Sequence, residues 1–177
     1  MKKLLMVWAL VLLFCFMVGC QDKAAMAELE ALKAQAALEE QNKAKVIHFI
    51  EEMDKKNFDV YDELMADEFV MHFPPFPDED SLEASKQSAH ATYVEIPDYN
   101  HTIEDILAKG DKVVVRLTNR GTVKESGIKF EFPAIVVFQF VDGKVVETWA
   151  MPDNLGYNQQ LGMELKPKEG ENRNPPD

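Results

Sequence analysis

The sequence predicts an α+β domain, and three observations carry that expectation. Apolar residues recur at helical spacing as far as about Val94, and after Pro97-Asp98 the spacing changes to a period of two. The later half is divided by Lys109-Gly110-Asp111, Glu125-Ser126-Gly127 and Asp142-Gly143, which are turn signals between apolar runs. Helices followed by a meander of strands fit an antiparallel sheet with helices on one side.

The chain of 177 residues, 46% of them hydrophobic, has room for one such domain and its appendages. Taken in order, residues 1–19 read as a leader: Lys2 and Lys3 precede an apolar run from Leu4 to Val18, which is too short for a membrane-spanning helix of roughly 20 residues. Gly19-Cys20 at the end of the run resembles the lipobox of bacterial lipoproteins, which implies cleavage before Cys20 and a lipid on its thiol. The alternative is an uncleaved anchor or ordinary secretion, with Cys20 a stray thiol. Cys15 would leave with the leader, so no disulfide is expected in the mature chain.

Loss of residues 1–19 would leave 17 basic and 31 acidic residues, a formal charge of −14. That charge repels nucleic acid and anionic lipid, so neither is an expected partner, and the lipid on Cys20 would have to supply the attachment to a bilayer. The lipobox resemblance places the protein in a bacterial envelope, facing away from the cytoplasm. Gln21, not Asp, follows the cysteine, which favours the outer membrane in a cell with two.

Residues 20–45 form a predicted helical stalk rich in Ala, Glu, Leu, Lys and Gln, with Met26, Leu29, Leu32 and Ala36 as a narrow apolar stripe. A semi-rigid spacer and a partner-binding helix are both compatible with it. The folded domain is expected over 46–163. It begins with Val46, Ile47, Phe49, Ile50 and Met53 on a helical core face, followed by a helix over Asn57–Ala66, a strand over Glu68–Phe73 and a helix over Leu82–Val94. Strands are expected over His101–Leu107, Lys112–Val123, Lys129–Val141 and Lys144–Met151. Asp142-Gly143 predicts a type I′ hairpin between the last two. Residues 164–177 are charged and Pro-rich and read as a disordered tail.

The run Ile96-Pro-Asp-Tyr-Asn-His-Thr-Ile-Glu-Asp-Ile106, with Lys109-Gly-Asp-Lys-Val-Val-Val-Arg-Leu-Thr118, Gly121-Thr122, Asp142-Gly-Lys-Val-Val-Glu-Thr-Trp149, Pro152-Asp153 and Gln160-Leu-Gly162, resembles the SnoaL-like polyketide cyclase family. The resemblance implies the cone of the nuclear transport factor two superfamily, in which three N-terminal helices close a strongly curved antiparallel sheet over an apolar pocket. It also implies frequent homodimers.

In the family's aldol cyclases a catalytic Asp precedes the Asp of the Pro-Asp pair by three residues, often with a His two residues earlier. Those places hold Ala150 and Thr148 here. In the related limonene epoxide hydrolases an Arg works with two Asp. Arg116 keeps the Arg place, while Thr118 and Ala150 replace the acids. The usual Asp-dependent chemistry is therefore not expected.

A regular hairpin at Asp142-Gly143 puts Ile135, Val137, Gln139, Val146, Thr148 and Ala150 on one face, the expected pocket wall. Arg116 would anchor a carbonyl or carboxylate, or else stand as a solvated or dimer-interface charge. For proton transfer the expected residues are His72, beside Phe73-Pro-Pro-Phe-Pro77, and His90. His48 and His101 are less expected to reach a ligand. No cofactor fingerprint or metal-ligand spacing is present. Three functions compete: a pocket for a small hydrophobic or carbonyl-bearing molecule, a cyclase or isomerase with a His base, and a protein-interaction module.

Overall fold

The structure is a computed structural model that describes the backbone of residues 2–166 and the side chains of residues 23–166. The side chains of the expected leader and of Cys20, and residues 167–177 of the tail, lie outside the described residues.

Helix α1 (Lys2–Asp54) runs through the stalk into the domain without a break, since nothing between Gln21 and Asp54 opposes a helix. From Lys23 to Gln41 its side chains are almost all exposed; burial begins at Asn42 and continues through Val46, Phe49, Ile50 and Met53. Each of those apolar side chains contributes about 1.5–3 kcal/mol by leaving water, which fixes this segment across the sheet. Two polar contacts align it further: Glu39 accepts from the Gly110 amide at 2.8 Å, and Lys45 donates to the Gly143 carbonyl at 2.7 Å. The helix stops where Lys56 takes a positive φ of 63° and donates back to the Met53 carbonyl. That stop leaves Asp54 on the last turn.

Helix α2 is only Val60–Leu64, and strand β1 (Met65–His72) starts at once, earlier than helical spacing over Asn57–Ala66 suggested. Met65 pairs with Val145 on β5 (Lys144–Pro152), and this tertiary pairing overrides the local helical tendency. Helix α3 (Leu82–Glu95) is capped by the Ser81 hydroxyl, which accepts from the Ala84 amide. Strands β2 (Asn100–Lys109), β3 (Lys112–Thr122) and β4 (Lys129–Val141) follow, and α4 (Asn154–Gln160) closes the chain.

The sheet order is β1-β5-β4-β3-β2. The α+β class holds, and the pairs from β2 to β5 are antiparallel. One edge differs from an all-antiparallel sheet: β1 runs parallel to β5. A parallel pair needs a long crossover, which α3 and the intervening meander provide.

The β4–β5 turn is as the sequence implies, with positive φ at both Asp142 (49°) and Gly143 (80°). The strands beyond it do not keep a regular register. Val141 faces Lys144 and Phe140 faces Val145, but Gln139 then faces Glu147, so Val146 is an extra residue, a β-bulge. A second irregularity falls between Ile103 and Asp105 on β2. The bulge follows from burial. Val145 is fully buried against the inward Phe138 and Phe140, and strict alternation would next bring Glu147 into the apolar core. Burying an unpaired carboxylate is costly, and one extra residue turns Glu147 outward and brings Thr148 and Ala150 in.

Candidate functional site

Between α1 and the inner face of the sheet lies a cavity of about 150 Å³. Helix α1 supplies Phe49, Ile50 and Met53, and α2 supplies Tyr61. Strand β1 adds Met65, Phe69 and Met71, and the other strands add His101, Leu117, Val136, Phe138, Thr148 and Ala150. A space of this volume accepts one six-membered ring. Three methionines give this wall polarisable, adaptable surface.

Three polar side chains interrupt the apolar lining. Thr148 is 3% exposed, and its Oγ1 has no hydrogen-bond partner among the described residues. Tyr61 is buried, and burial pushes its phenol above the ordinary value, which keeps it a neutral donor. His101 is held from behind by Asp54: its Nδ1 lies 2.6 Å from Asp54 Oδ1, and its backbone N–H donates to Oδ2 at 3.2 Å. The Tyr93 hydroxyl donates to the same Oδ1 at 3.4 Å, and burial, then the Asp54 charge, hold Tyr93 protonated. Tyr99 sets its ring edge-on to His101, 5.0 Å between centroids. A histidine whose Nδ1 faces a carboxylate carries its neutral-state proton there, and Nε2 is left as the lone-pair nitrogen.

The bulge at Val146 redistributes the residues expected on the pocket wall. Thr148 and Ala150 do line the cavity. Ile135, Val137 and Gln139 do not: with β4 reading inward through Ala134, Val136, Phe138 and Phe140, the odd-numbered residues face outward. Ile135 is exposed, and Gln139 accepts from Lys112 at 2.7 Å on the outer surface. Val146 is the half-buried bulge residue. Arg116 pairs with Ile135 on the outer face and is exposed, so it anchors nothing in the cavity.

The two histidines expected to transfer protons also lie elsewhere. His90 is exposed on α3, its ring edge-on to Phe58 at 5.6 Å. His72 follows Met71 on β1, and since Met71 faces the cavity, pleating sends His72 to the opposite side. There it stacks on Trp149 at 5.1 Å, with Nε2 2.6 Å from Glu147 and Nδ1 2.9 Å from Asp78. The Glu147 hydrogen bond first, then that of Asp78, holds its pKa above the usual histidine value. Both ring nitrogens are thus engaged in an outer-face clamp that ties β1, β5 and the segment after β1 together.

Sequence reasoning undervalued His101 and did not single out Asp54. Their pairing joins residues 47 positions apart in the chain. The one local signal was the helical spacing that sets Asp54 beside Met53 at the end of the core face.

The profile of the family described as SnoaL-like polyketide cyclase matches residues 44–161. A candidate polyketide cyclase from Bacillus cereus ATCC 10987 is 30% identical, with 71% of this chain and 83% of that chain covered and a TM-score of 0.62. IdmH, a candidate polyketide cyclase from Streptomyces antibioticus, is 27% identical, covering 70% and 99%, also with a TM-score of 0.62. A candidate SnoaL-like polyketide cyclase from Jannaschia sp. CCS1 shares the fold at 22% identity, with coverage of 72% and 95% and a TM-score of 0.66. No curated protein matches the sequence.

Proposed function

The chain belongs to the SnoaL-like polyketide cyclase family, and from that premise we propose that its cavity binds one small, neutral, mainly apolar molecule through a carbonyl group. The observation that carries this reading is the Thr148 hydroxyl, buried in an apolar wall without a partner among the described residues. Buried hydroxyls are ordinarily bonded, and one that lacks a protein partner on a residue of a cavity wall is matched by a ligand oxygen. The fold supports a ligand-binding or cyclase-type role. Ala150 in the place of the family's acid argues against the usual Asp-dependent step.

The test compares cyclohexanone with methylenecyclohexane, which has the same shape without the oxygen. Binding is followed by ligand-observed NMR to wild type and to a Thr148→Val variant. Loss of the hydroxyl should weaken the ketone about tenfold, as for one buried hydrogen bond, and leave the hydrocarbon unchanged or tighter. Equal effects on both probes, or no binding of either, would refute the reading.

Attachment to a bilayer through Cys20 is a further part of the proposal and rests on the sequence alone. Metabolic labelling with a palmitate analogue should mark wild type and not Cys20→Ser. Label retained by the variant would dismiss it.

A further inference from the structure

We propose that His101 and Asp54 form a proton-transfer pair that acts on the carbon next to the bound carbonyl; this rests on the ketone-binding reading above. His101 and Thr148 line the same cavity. Because that cavity is about one ring in size, an occupant that fills it lies within reach of both groups. Thr148 offers a hydroxyl to the carbonyl oxygen. His101 offers Nε2, since Nδ1 is taken by Asp54.

The pair is built as a unit. Asp54 holds both the ring and the backbone of His101, one oxygen to each, and Tyr93 from α3 steadies the first of these. Three separate elements thus fix the imidazole: the last turn of α1, the start of β2 and α3. The groups facing the ring are Asp54 and Tyr99, with Tyr93 behind the carboxylate. The side chains of His101 and Asp54 are 15% and 27% exposed, so solvent reaches the pair while the apolar wall shelters the cavity side.

The step balances without any co-reactant. The Nε2 lone pair takes a proton from the carbon α to the carbonyl. The C–H electron pair becomes the new C–C π bond, the carbonyl π pair moves onto oxygen, and the resulting enolate accepts a hydrogen bond from Thr148. Imidazolium then returns a proton to the same carbon or to a conjugated one, which makes the net reaction exchange or isomerisation. His101 would be the catalytic residue, and Asp54 a positioning residue that sets the tautomer and steadies the imidazolium. This location is distinct from position 150, where the family's aldol cyclases keep their acid.

The experiment follows hydrogen–deuterium exchange at the α-carbon of cyclohexanone in D₂O by NMR, together with binding of the same probe to the full chain. Wild type should exchange the probe saturably above the buffer rate. His101→Asn and His101→Gln should bind it within about twofold of wild type and lose at least about 100-fold in exchange, the usual lower bound for general-base catalysis. Asp54→Asn should keep binding, slow exchange at least about tenfold, and abolish the Nδ1–H tautomer seen in the ¹⁵N shifts of the His101 ring. A wild type that binds cyclohexanone and exchanges it no faster than buffer overturns the proton-transfer pair alone. Failure to bind overturns the ketone-binding reading and the pair with it. Two His101 variants with wild-type exchange rates would overturn the proton-transfer pair and leave the ketone-binding reading standing.

Discussion

Replacing Thr148 with valine should stabilise the ligand-free protein, a direction opposite to that of most core substitutions. The hydroxyl is 3% exposed and lacks a partner among the described residues, so folding removes it from water without replacing the lost hydrogen bond. Such a group costs about 1–3 kcal/mol. Valine has nearly the same shape, is favoured in strands, and adds a methyl worth up to about 0.8 kcal/mol where it finds contacts. A net gain of about 1–2 kcal/mol is therefore expected. At roughly 4 °C per kcal/mol for a domain of this size, the midpoint should rise by about 4–8 °C.

Urea and thermal unfolding measure the change, with an unaltered urea slope as the sign that the unfolded state is untouched. Thr118→Val is the control of opposite sign, because its hydroxyl donates to Glu104 at 2.7 Å on the outer face. It should be neutral or destabilising. If Thr148→Val is as stable as wild type or less so, the hydroxyl is already bonded in the free protein, and the basis for a carbonyl ligand is gone.

The outer-face clamp should give a pH-dependent stability. His72 is held above its ordinary pKa in the folded state by Glu147 and Asp78, so its contribution is full below the unfolded histidine value and is lost as pH rises through the folded one. The difference in unfolding free energy between wild type and His72→Gln should therefore shrink from mildly acidic to mildly alkaline pH, and a constant difference would dismiss the clamp. Gly121→Ala should destabilise by about 1–3 kcal/mol in chemical denaturation, since a Cβ there would collide with Ile96 and the ring of Phe130. Asp153→Ala removes the side chain that caps α4 by accepting from the Gly156 amide at 2.8 Å. About 1 kcal/mol should be lost, with faster amide exchange confined to α4.

The conspicuous letters near the C-terminus turn out to be architectural. Asp153 caps α4, and Gln160 mimics a strand by accepting from the Glu131 amide at 2.9 Å and donating to its carbonyl at 2.8 Å. Trp149 stacks on His72 outside the cavity. Thr148 and Ala150 between them face inward, and the pocket chemistry follows from what they carry.

Local physics was legible in the sequence. Helix formers without a breaker predict α1 beyond Gln21, period-two apolar runs predict β2 to β5, and Asp142-Gly143 predicts its turn, because each depends on neighbours a few residues apart. The motif pattern carried the fold class for the same reason: its pieces are turns, caps and strand faces. The tertiary structure alone decided which way the last hairpin faces. One extra residue at Val146 reverses the phase of an alternating strand, and the energy that favours the bulge, keeping Glu147 out of the core, exists only once the core is assembled. It also decided the candidate base. Asp54 meets His101 only because α1 ends beside the first residues of β2, and a hydrogen bond between residues so distant in the chain leaves no periodicity to read.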